Sequence, residues 1–473
     1  MKDLAFDLVV IGSGPAGQKA AIQAAKLQKN VLVIEKDPDP GGNSLYSGTI
    51  PSKTFRESIL TLTRFYDRLF LHPTKREIAD VTFSDLNNRL QKVIEDEKEV
   101  VLRQLRRNGV NVIRGTAHFE NAHQLLVLDS EDRLLYRIKS TYFVVATGSK
   151  PRHPPDVPFD SKVILDSTTL LTIQEMPKTM IVLGGGVIGA EYASFFAALG
   201  TEVTVIDRKT HMLPQLDSEI GVHLQTALGE IGLKFRGNIE PEKIENVDGK
   251  AFVRFKDQST LTADILLYAL GRTASVDFLA LDNAGIALNQ KGYVDVNALF
   301  QTSAPHIYAV GDVIGGPSLA STSMEQGRLA TRHAFGVELH YFPPFYPIGI
   351  YTIPEISSCG YTEDELKTMD IRYEVGRAYY YEIARSHIAG DNLSVGMFKL
   401  IFHAETLEIL GIHVIGRSAT EVIHIGQMAA GFNAKIDYFV DQIFNYPTYA
   451  EGFRIAALNG LNKIKNPLRN MRV

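Results

Sequence analysis

The sequence predicts an α/β fold: two Rossmann-like dinucleotide-binding domains and a smaller C-terminal α+β domain. Three observations carry this. The stretches 6–36, FDLVVIGSGPAGQKAAIQAAKLQKNVLVIEK, and 178–208, KTMIVLGGGVIGAEYASFFAALGTEVTVIDR, repeat each other without a gap. Each passes from an apolar run through a glycine loop and an alanine-rich run to a second apolar run ending in an acid, which is one βαβ unit used twice. Beyond residue 343 the pattern changes to strand-like runs followed by helical ones.

A chain of 473 residues has room for about three domains at roughly 150 residues each. It is 45% hydrophobic and 22% charged, as ordinary soluble globular proteins are. With 49 basic against 54 acidic residues the net charge is −5, which argues against a nucleic-acid partner or an anionic membrane surface. Cys359 is the only cysteine, so no intramolecular disulfide can form. The opening MKDLAFDLVVIGSGPAG lacks the basic start and cleavage site of a signal peptide. A cytoplasmic location is therefore expected. The most apolar long window, 181–200, is broken by a glycine cluster and Glu191. It reads as strand and helix, and no membrane span is expected. No metal site is expected either.

Between the repeats, 56–70 and 86–109 have apolar positions at helical spacing, with Gly109 as a stop. The acidic run Glu95–Glu99 reads as a solvated helix face. Residues 123–147 alternate as strands and end in YFVVATGS. PRHPPDVP at 151–158 reads as a crossing or linker. Residues 240–272 give short strands ending in DILLYALGR, and 298–314 hold ALFQTSAPHIYAVGDVI. The cluster YFPPFYP at 341–347 marks a boundary. VGMFKLIFH (395–403) and ILGIHVIG (409–416) follow as strands. ATEVIHIGQMAAGF (419–432) and YAEGFRIAALNGLNKI (449–464) follow as helices.

Gly12-Ser-Gly14-Pro-Ala-Gly17 fits G-x-G-x-x-G. The first glycine permits a tight turn, the second lets the backbone approach a pyrophosphate, and the third allows close strand–helix packing. The helix N-terminus then offers unpaired N–H groups to the phosphates. Glu35 lies where a carboxylate accepts hydrogen bonds from ribose hydroxyls. Gly184-Gly-Gly186-Val-Ile-Gly189 with Asp207 repeats this, and the first glycine precedes the acid by 23 positions in both (12 to 35, 184 to 207). Two dinucleotides are expected, one held and one exchanging. A strand ending in Gly311-Asp312 puts another carboxylate where α/β sheets bind ligands.

In order along the chain, IGSGPAG, Glu35, GGNSLYSGTIPSK (41–53), VVATGS, GGGVIGAEYA, LYALGR, TSAPHIYAVGDV and ILGIHVIG resemble the flavoprotein family of glutathione reductase and lipoamide dehydrogenase. That resemblance implies FAD on Gly12, Gly14, Gly17, Glu35 and Asp312, and NAD(P)H on Gly184, Gly186, Gly189, Asp207 and Arg208. It adds Gly42, Gly148 and Gly271 to the cofactor-binding set. It makes Lys53, after a TIPS turn and at a helix start, and Glu191 the charged pair near the flavin. It also implies the domain limits: 1–150 and 273–342 for FAD, 151–272 for NAD(P), and 343–473 for homodimerisation.

Three positions depart from the family's disulfide reductases. Ser44 and Thr49 stand where those enzymes carry a redox pair of cysteines, and hydroxyls do not cycle between dithiol and disulfide. Tyr446 replaces a histidine that relays protons to the thiols from across the dimer, while Pro447 and Glu451 match the family. Tyr446 is expected to fill or gate space. Without a dithiol, hydride arriving from one reduced nicotinamide stays on the flavin until a second nicotinamide or a quinone takes it. GTIPSK, PIGIYTIPEISS, EVIHIGQ and FNYPTYAE look most like the soluble pyridine nucleotide transhydrogenases. The expected activity is therefore hydride transfer between NADPH/NADP and NADH/NAD through FAD. The alternatives are a thiol-independent NAD(P)H dehydrogenase or quinone reductase, and a redox-inactive flavoprotein that binds a partner. Asp207 favours NAD by repelling a 2′-phosphate, whereas Arg208 and Lys209 can offset that repulsion. Cys359, far in sequence from these motifs, is expected to be an inert packed residue.

Overall fold

The computed structural model describes residues 2–62, 82–338, 343, 345–391 and 394–465. The second half of the helix expected at 56–70, and residues 341, 342 and 344 of the proline cluster, lie outside the described residues. The chain divides into two compact units. The first is Met1–Thr54, Asn87–His153 and Gly271–Phe342; the second is Phe55–Leu86, Pro154–Leu270 and Pro343–Val473.

The first unit is built on a sheet that begins with parallel strands in the order Asn111–Arg114, Val31–Glu35, Lys2–Ile11, Leu134–Val145. Strand Leu134–Val145 is long enough for two neighbours on its other side. Its start pairs antiparallel with Gln124–Leu128, and its end pairs parallel with Ile307–Ala309. Val31–Glu35 is buried at every residue, as a parallel strand covered on both faces must be. Helix Pro15–Lys26 follows the first glycine loop with proline at its first position, where the missing N–H is no loss. It packs on helix Ala320–Ala334 so closely that a Cβ on Gly327 would lie 2.2 Å from the Ala16 carbonyl oxygen. Within the first unit Ser149–Pro151 pairs with Arg272–Ala274 as a short antiparallel ribbon.

The second unit repeats the parallel architecture, with strand order Lys234–Arg236, Glu202–Ile206, Thr179–Leu183, Ile265–Tyr268, Ile164–Leu165. A three-stranded antiparallel sheet covers Pro241–Ala263. The C-terminal part is a five-stranded antiparallel sheet, Ile348–Ile350, Ile356–Gly360, Ile409–Ile415, Met397–His403, Tyr373–Tyr379, carrying helices Ala419–Gly431 and Glu451–Lys465. One core joins the parallel sheet to this C-terminal sheet: Phe195, Val182 and Leu213 pack in the same apolar cluster as Ile350, Ile356, Met397 and Ile415. That shared burial is why residues 154–270 and 343–473 form one compact unit. No described helix is long and apolar enough to cross a membrane.

The long helix Phe83–Arg107 ends just before Gly109, whose φ of +71° only glycine adopts cheaply. The acids Glu95, Asp96, Glu97 and Glu99 are all exposed, and the partly buried Lys98 pairs with Glu95 and, at 3.6 Å, with Asp39.

Candidate functional site

The two glycine loops have the same construction. Gly12 and Gly184 adopt φ of +100° and +109°. A Cβ there would strike the Ala146 carbonyl oxygen at 2.5 Å or the Ala269 carbonyl oxygen at 2.6 Å. Gly17 and Gly189 let each helix sit on its own loop, since a Cβ would lie 2.0 Å and 1.8 Å from the Gly12 and Gly184 carbonyl oxygens. Gly14 and Gly186 differ from these: a Cβ there would meet nothing within 4 Å. Each loop therefore has its first and third glycines packed against protein and its middle one facing open space, as a backbone that receives a pyrophosphate requires. Gly42 abuts the first loop, and a Cβ on it would lie 2.8 Å from Gly14 Cα.

The two acids are held in the same way. Glu35 accepts the Ser13 N–H at 2.9 Å and the Asp37 N–H at 3.0 Å, and its Oε2 also takes the Ser13 hydroxyl. Asp207 accepts the Gly185 N–H at 2.6 Å and the Lys209 N–H at 2.8 Å. In each unit the residue after the first glycine, and the residue two beyond the acid, fix the carboxylate at the strand end. Arg208 and Lys209 are exposed beside Asp207. These donor sets fit a dinucleotide at each loop.

Asp312 begins a 3₁₀ turn, Gly311–Ile314, after strand Ile307–Ala309. Its Oδ2 accepts the Ser149 hydroxyl at 2.8 Å, and Arg272 Nε donates to the same hydroxyl at 2.7 Å. Gly148 and Gly271, both at positive φ, immediately precede Ser149 and Arg272. The first unit thus brings together Gly12, Gly14, Gly17, Glu35, Gly42, Gly148, Gly271 and Asp312. Sequence reasoning passed over Ser13, Ser149 and Arg272, although each adjoins a glycine it had singled out.

Lys53 lies in the first unit. Residues 49–52 do not form the expected turn: helix Thr49–Leu62 already includes them. Pro51 falls in the first helical turn, where no N–H is needed. Lys53 is partly buried, and its ammonium donates to the Ser52 hydroxyl at 3.3 Å. Ser44 lies on the short helix Gly42–Tyr46 and Thr49 is exposed.

Glu191 lies in the second unit on helix Val187–Ala198 and is only 3% exposed. Its Oε1 accepts the Tyr351 N–H at 2.8 Å. Two residues on, the Ile353 N–H donates to Ser194 Oγ at 3.2 Å. The segment before strand Ile356–Gly360 therefore holds this helix through its main chain, a contact no side-chain pattern announces. Beside Tyr351 a cavity of about 450 Å³ is lined by Arg56, Glu57, Glu355, Arg417, Thr420 and Glu421, among others. Burial raises the Glu355 carboxyl, and Arg56 partly offsets this from 3.5 Å.

Tyr446 is 72% exposed in the protomer. Glu451 opens helix Glu451–Lys465, and its Oε2 is buried with no hydrogen-bond partner.

Residues 6–327 match the family described as pyridine nucleotide-disulphide oxidoreductase, and residues 346–457 match that family's dimerisation domain. The chain is 45% identical over 460 residues to the soluble pyridine nucleotide transhydrogenase of Mycobacterium bovis (strain BCG / Pasteur 1173P2), covering 97% of this chain and 98% of that protein. It is 42% identical over 463 residues to the protein of the same name from Klebsiella pneumoniae, covering 97% and 98%. The crystal structure of LpdA from Mycobacterium tuberculosis is similar with a TM-score of 0.88 at 25% identity, covering 96% of this chain and 99% of that one. The HOCl-induced flavoprotein disulfide reductase RclA from Escherichia coli gives 0.85 at 27%, with coverage of 96% and 99%. The chain belongs to the pyridine nucleotide-disulphide oxidoreductase family.

Proposed function

We infer that the protein is an FAD-dependent NAD(P) transhydrogenase, moving hydride between NADPH/NADP and NADH/NAD. One observation carries the reading: both glycine loops are built alike, each with an acid fixed at the strand end, while Ser44 and Thr49 stand where a dithiol would take electrons onward. The relatives named soluble pyridine nucleotide transhydrogenase support it. FAD, when bound, supplies a centre that accepts and returns hydride.

Gly12, Gly14, Gly17, Glu35 and Asp312 are proposed to hold FAD, with Gly42, Gly148 and Gly271 bordering the cofactors. Gly184, Gly186, Gly189, Asp207 and Arg208 are proposed to hold the exchanging nicotinamide nucleotide. Lys53 would supply positive charge beside bound FAD. Glu191, fixed by the Tyr351 N–H, presents a carboxylate that cannot swing away. The protein is a homodimer through its dimerisation domain. Tyr446 and Glu451 are proposed to act on the partner protomer's site, which the exposure of Tyr446 supports. The proposed domain limits are 1–150 with 273–342, 151–272 and 343–473, and the proposed location is the cytoplasm.

The test is anaerobic. Enzyme reduced with NADPH should be reoxidised by thio-NAD, and neither lipoamide nor oxidised glutathione should be reduced with excess NADH. Reoxidation by quinones alone would replace this reading with a quinone reductase. Turnover of either disulfide would overturn it.

A further inference from the structure

The segment following Asp207 is fastened at both ends. At its start Asp207 takes the Gly185 and Lys209 N–H groups. Midway, the Leu213 N–H returns to the Gly185 carbonyl oxygen at 2.9 Å. At its end Asp217 caps helix Ser218–Glu230 by accepting the Glu219 N–H at 3.1 Å.

Asp217 is tied to Lys399, on strand Met397–His403 of the dimerisation domain. Both side chains are 0% exposed, and their charged atoms are 2.7 Å apart. The Lys399 ammonium also meets Glu219 Oε2 at 2.9 Å and Glu363 Oε1. Arg377 grips Glu219 with two bonds, at 2.7 and 2.8 Å. The Glu363 N–H donates to Asp217 Oδ2 at 3.2 Å.

Oxygens of Asp217, Glu219 and Glu363 lie within 4.8 Å of one another, and the ammonium is what makes that crowding tolerable. Burial alone would raise the Asp217 carboxyl, but the Lys399 hydrogen bond, the nearby His413, the Lys399 charge and the Glu363 N–H together hold it below the usual range. Removing Lys399 would leave the fully buried Asp217 carboxylate without its ammonium partner, so Asp217 would have to move outward or take a proton. Either change releases one end of the segment whose other end is Asp207.

We propose that Lys399 is a positioning residue for the pyridine nucleotide: by fixing Asp217 it fixes residues 207–217. It thereby sets affinity for the adenosine half and selectivity at the ribose 2′ position. The proposal rests on the reading of Gly184–Gly189 and Asp207 as the nucleotide cradle.

The experiment uses the FAD-loaded homodimer of the wild type and of Lys399→Met, Lys399→Arg and Arg377→Met. Calorimetry measures the Kd of ADP-ribose and of its 2′-phosphorylated form, and steady-state kinetics separates KM from kcat. Coupling of this kind amounts to about three- to thirtyfold. Lys399→Met should raise the ADP-ribose Kd and the NADH KM by that much. FAD content should be unchanged, kcat at saturation should hold within about twofold, and Lys399→Arg should restore part of the loss.

If Lys399→Met does not fold, Arg377→Met decides, because it loosens Glu219 from the partly exposed side of the cluster. A lowered Tm with an unchanged Kd in the folded variants would overturn the proposal and leave a purely structural ion cluster. A wild type that binds neither ADP-ribose compound would instead sink the underlying reading of the cradle.

Discussion

A single methylene separates the two acids of the repeat. The longer Glu35 takes the Ser13 hydroxyl as well as its N–H, whereas Asp207 accepts the main-chain N–H groups of Gly185 and Lys209. Its carboxylate is thus placed at the strand end by two backbone N–H groups. Repulsion of a 2′-phosphate from this position is on the order of 1–3 kcal/mol in partly screened surroundings. Asp207→Asn keeps an acceptor for the Gly185 N–H but removes the charge. The ratio of kcat/KM for NADPH to that for NADH should rise about tenfold or more; an unchanged ratio would place selectivity elsewhere. Cys359 is the contrasting residue. It is 2% exposed on strand Ile356–Gly360, and burial pushes its thiol up to about 12. The thiolate is the reactive form, so native protein at pH 8 should resist iodoacetamide. Unfolded protein should take up one equivalent per chain. Rapid labelling of the native protein would contradict the inert role.

At the scale of elements, each glycine loop separates folding from binding among its own residues. Gly189→Ala drives a methyl into the Gly184 carbonyl oxygen and should cost stability and binding together. Gly186→Ala places the methyl in open space, so Tm should hold within about 2 °C for a change with no packing penalty. The KM for both nucleotides should nevertheless rise about tenfold, because the pyrophosphate loses its close approach. A Gly186→Ala variant with unchanged KM would show that the phosphates do not lie there. These loops were legible in the sequence because strand, glycines, helix and acid are consecutive. Strand order in the C-terminal sheet was not, since it depends on pairings such as Ser358 with His413 that are far apart in the chain. Tyr351 was equally hidden: its contribution to Glu191 is a backbone N–H, which every non-proline residue carries. The TIPS stretch misled for a local reason, because proline suits both a turn and the first turn of a helix.

Across the molecule a modest net charge of −5 conceals buried charges whose effects on stability run in opposite directions with pH. Burial would raise Glu219, but Arg377 and Lys399 hold it below the usual range, as Lys399 does for Asp217. Such carboxylates stabilise the fold above their unfolded pKa, near 4, and that contribution is lost as pH falls through the folded values. Lys399 is the mirror case. Burial would lower it, yet its three carboxylates raise it, so its contribution persists below about 10.5 and fades only as pH climbs through the folded value. Glu355 runs opposite to Asp217 and Glu219, and in the same direction as Lys399. Its carboxyl is raised, chiefly by burial, so the fold favours its protonated form and loses stability as pH rises past the unfolded value of about 4.3. Arg56, 3% exposed and 3.5 Å away, is the counter-charge that limits this loss. Arg56→Met should therefore destabilise the FAD-loaded protein by about 3 kcal/mol at pH 8. The loss should be distinctly smaller at pH 5, where Glu355 can take up a proton at less cost. Urea midpoints at the two pH values measure the difference. Equal losses at both would assign the role of Arg56 to packing and its 3.2 Å bond to the Thr352 carbonyl oxygen instead of to its charge.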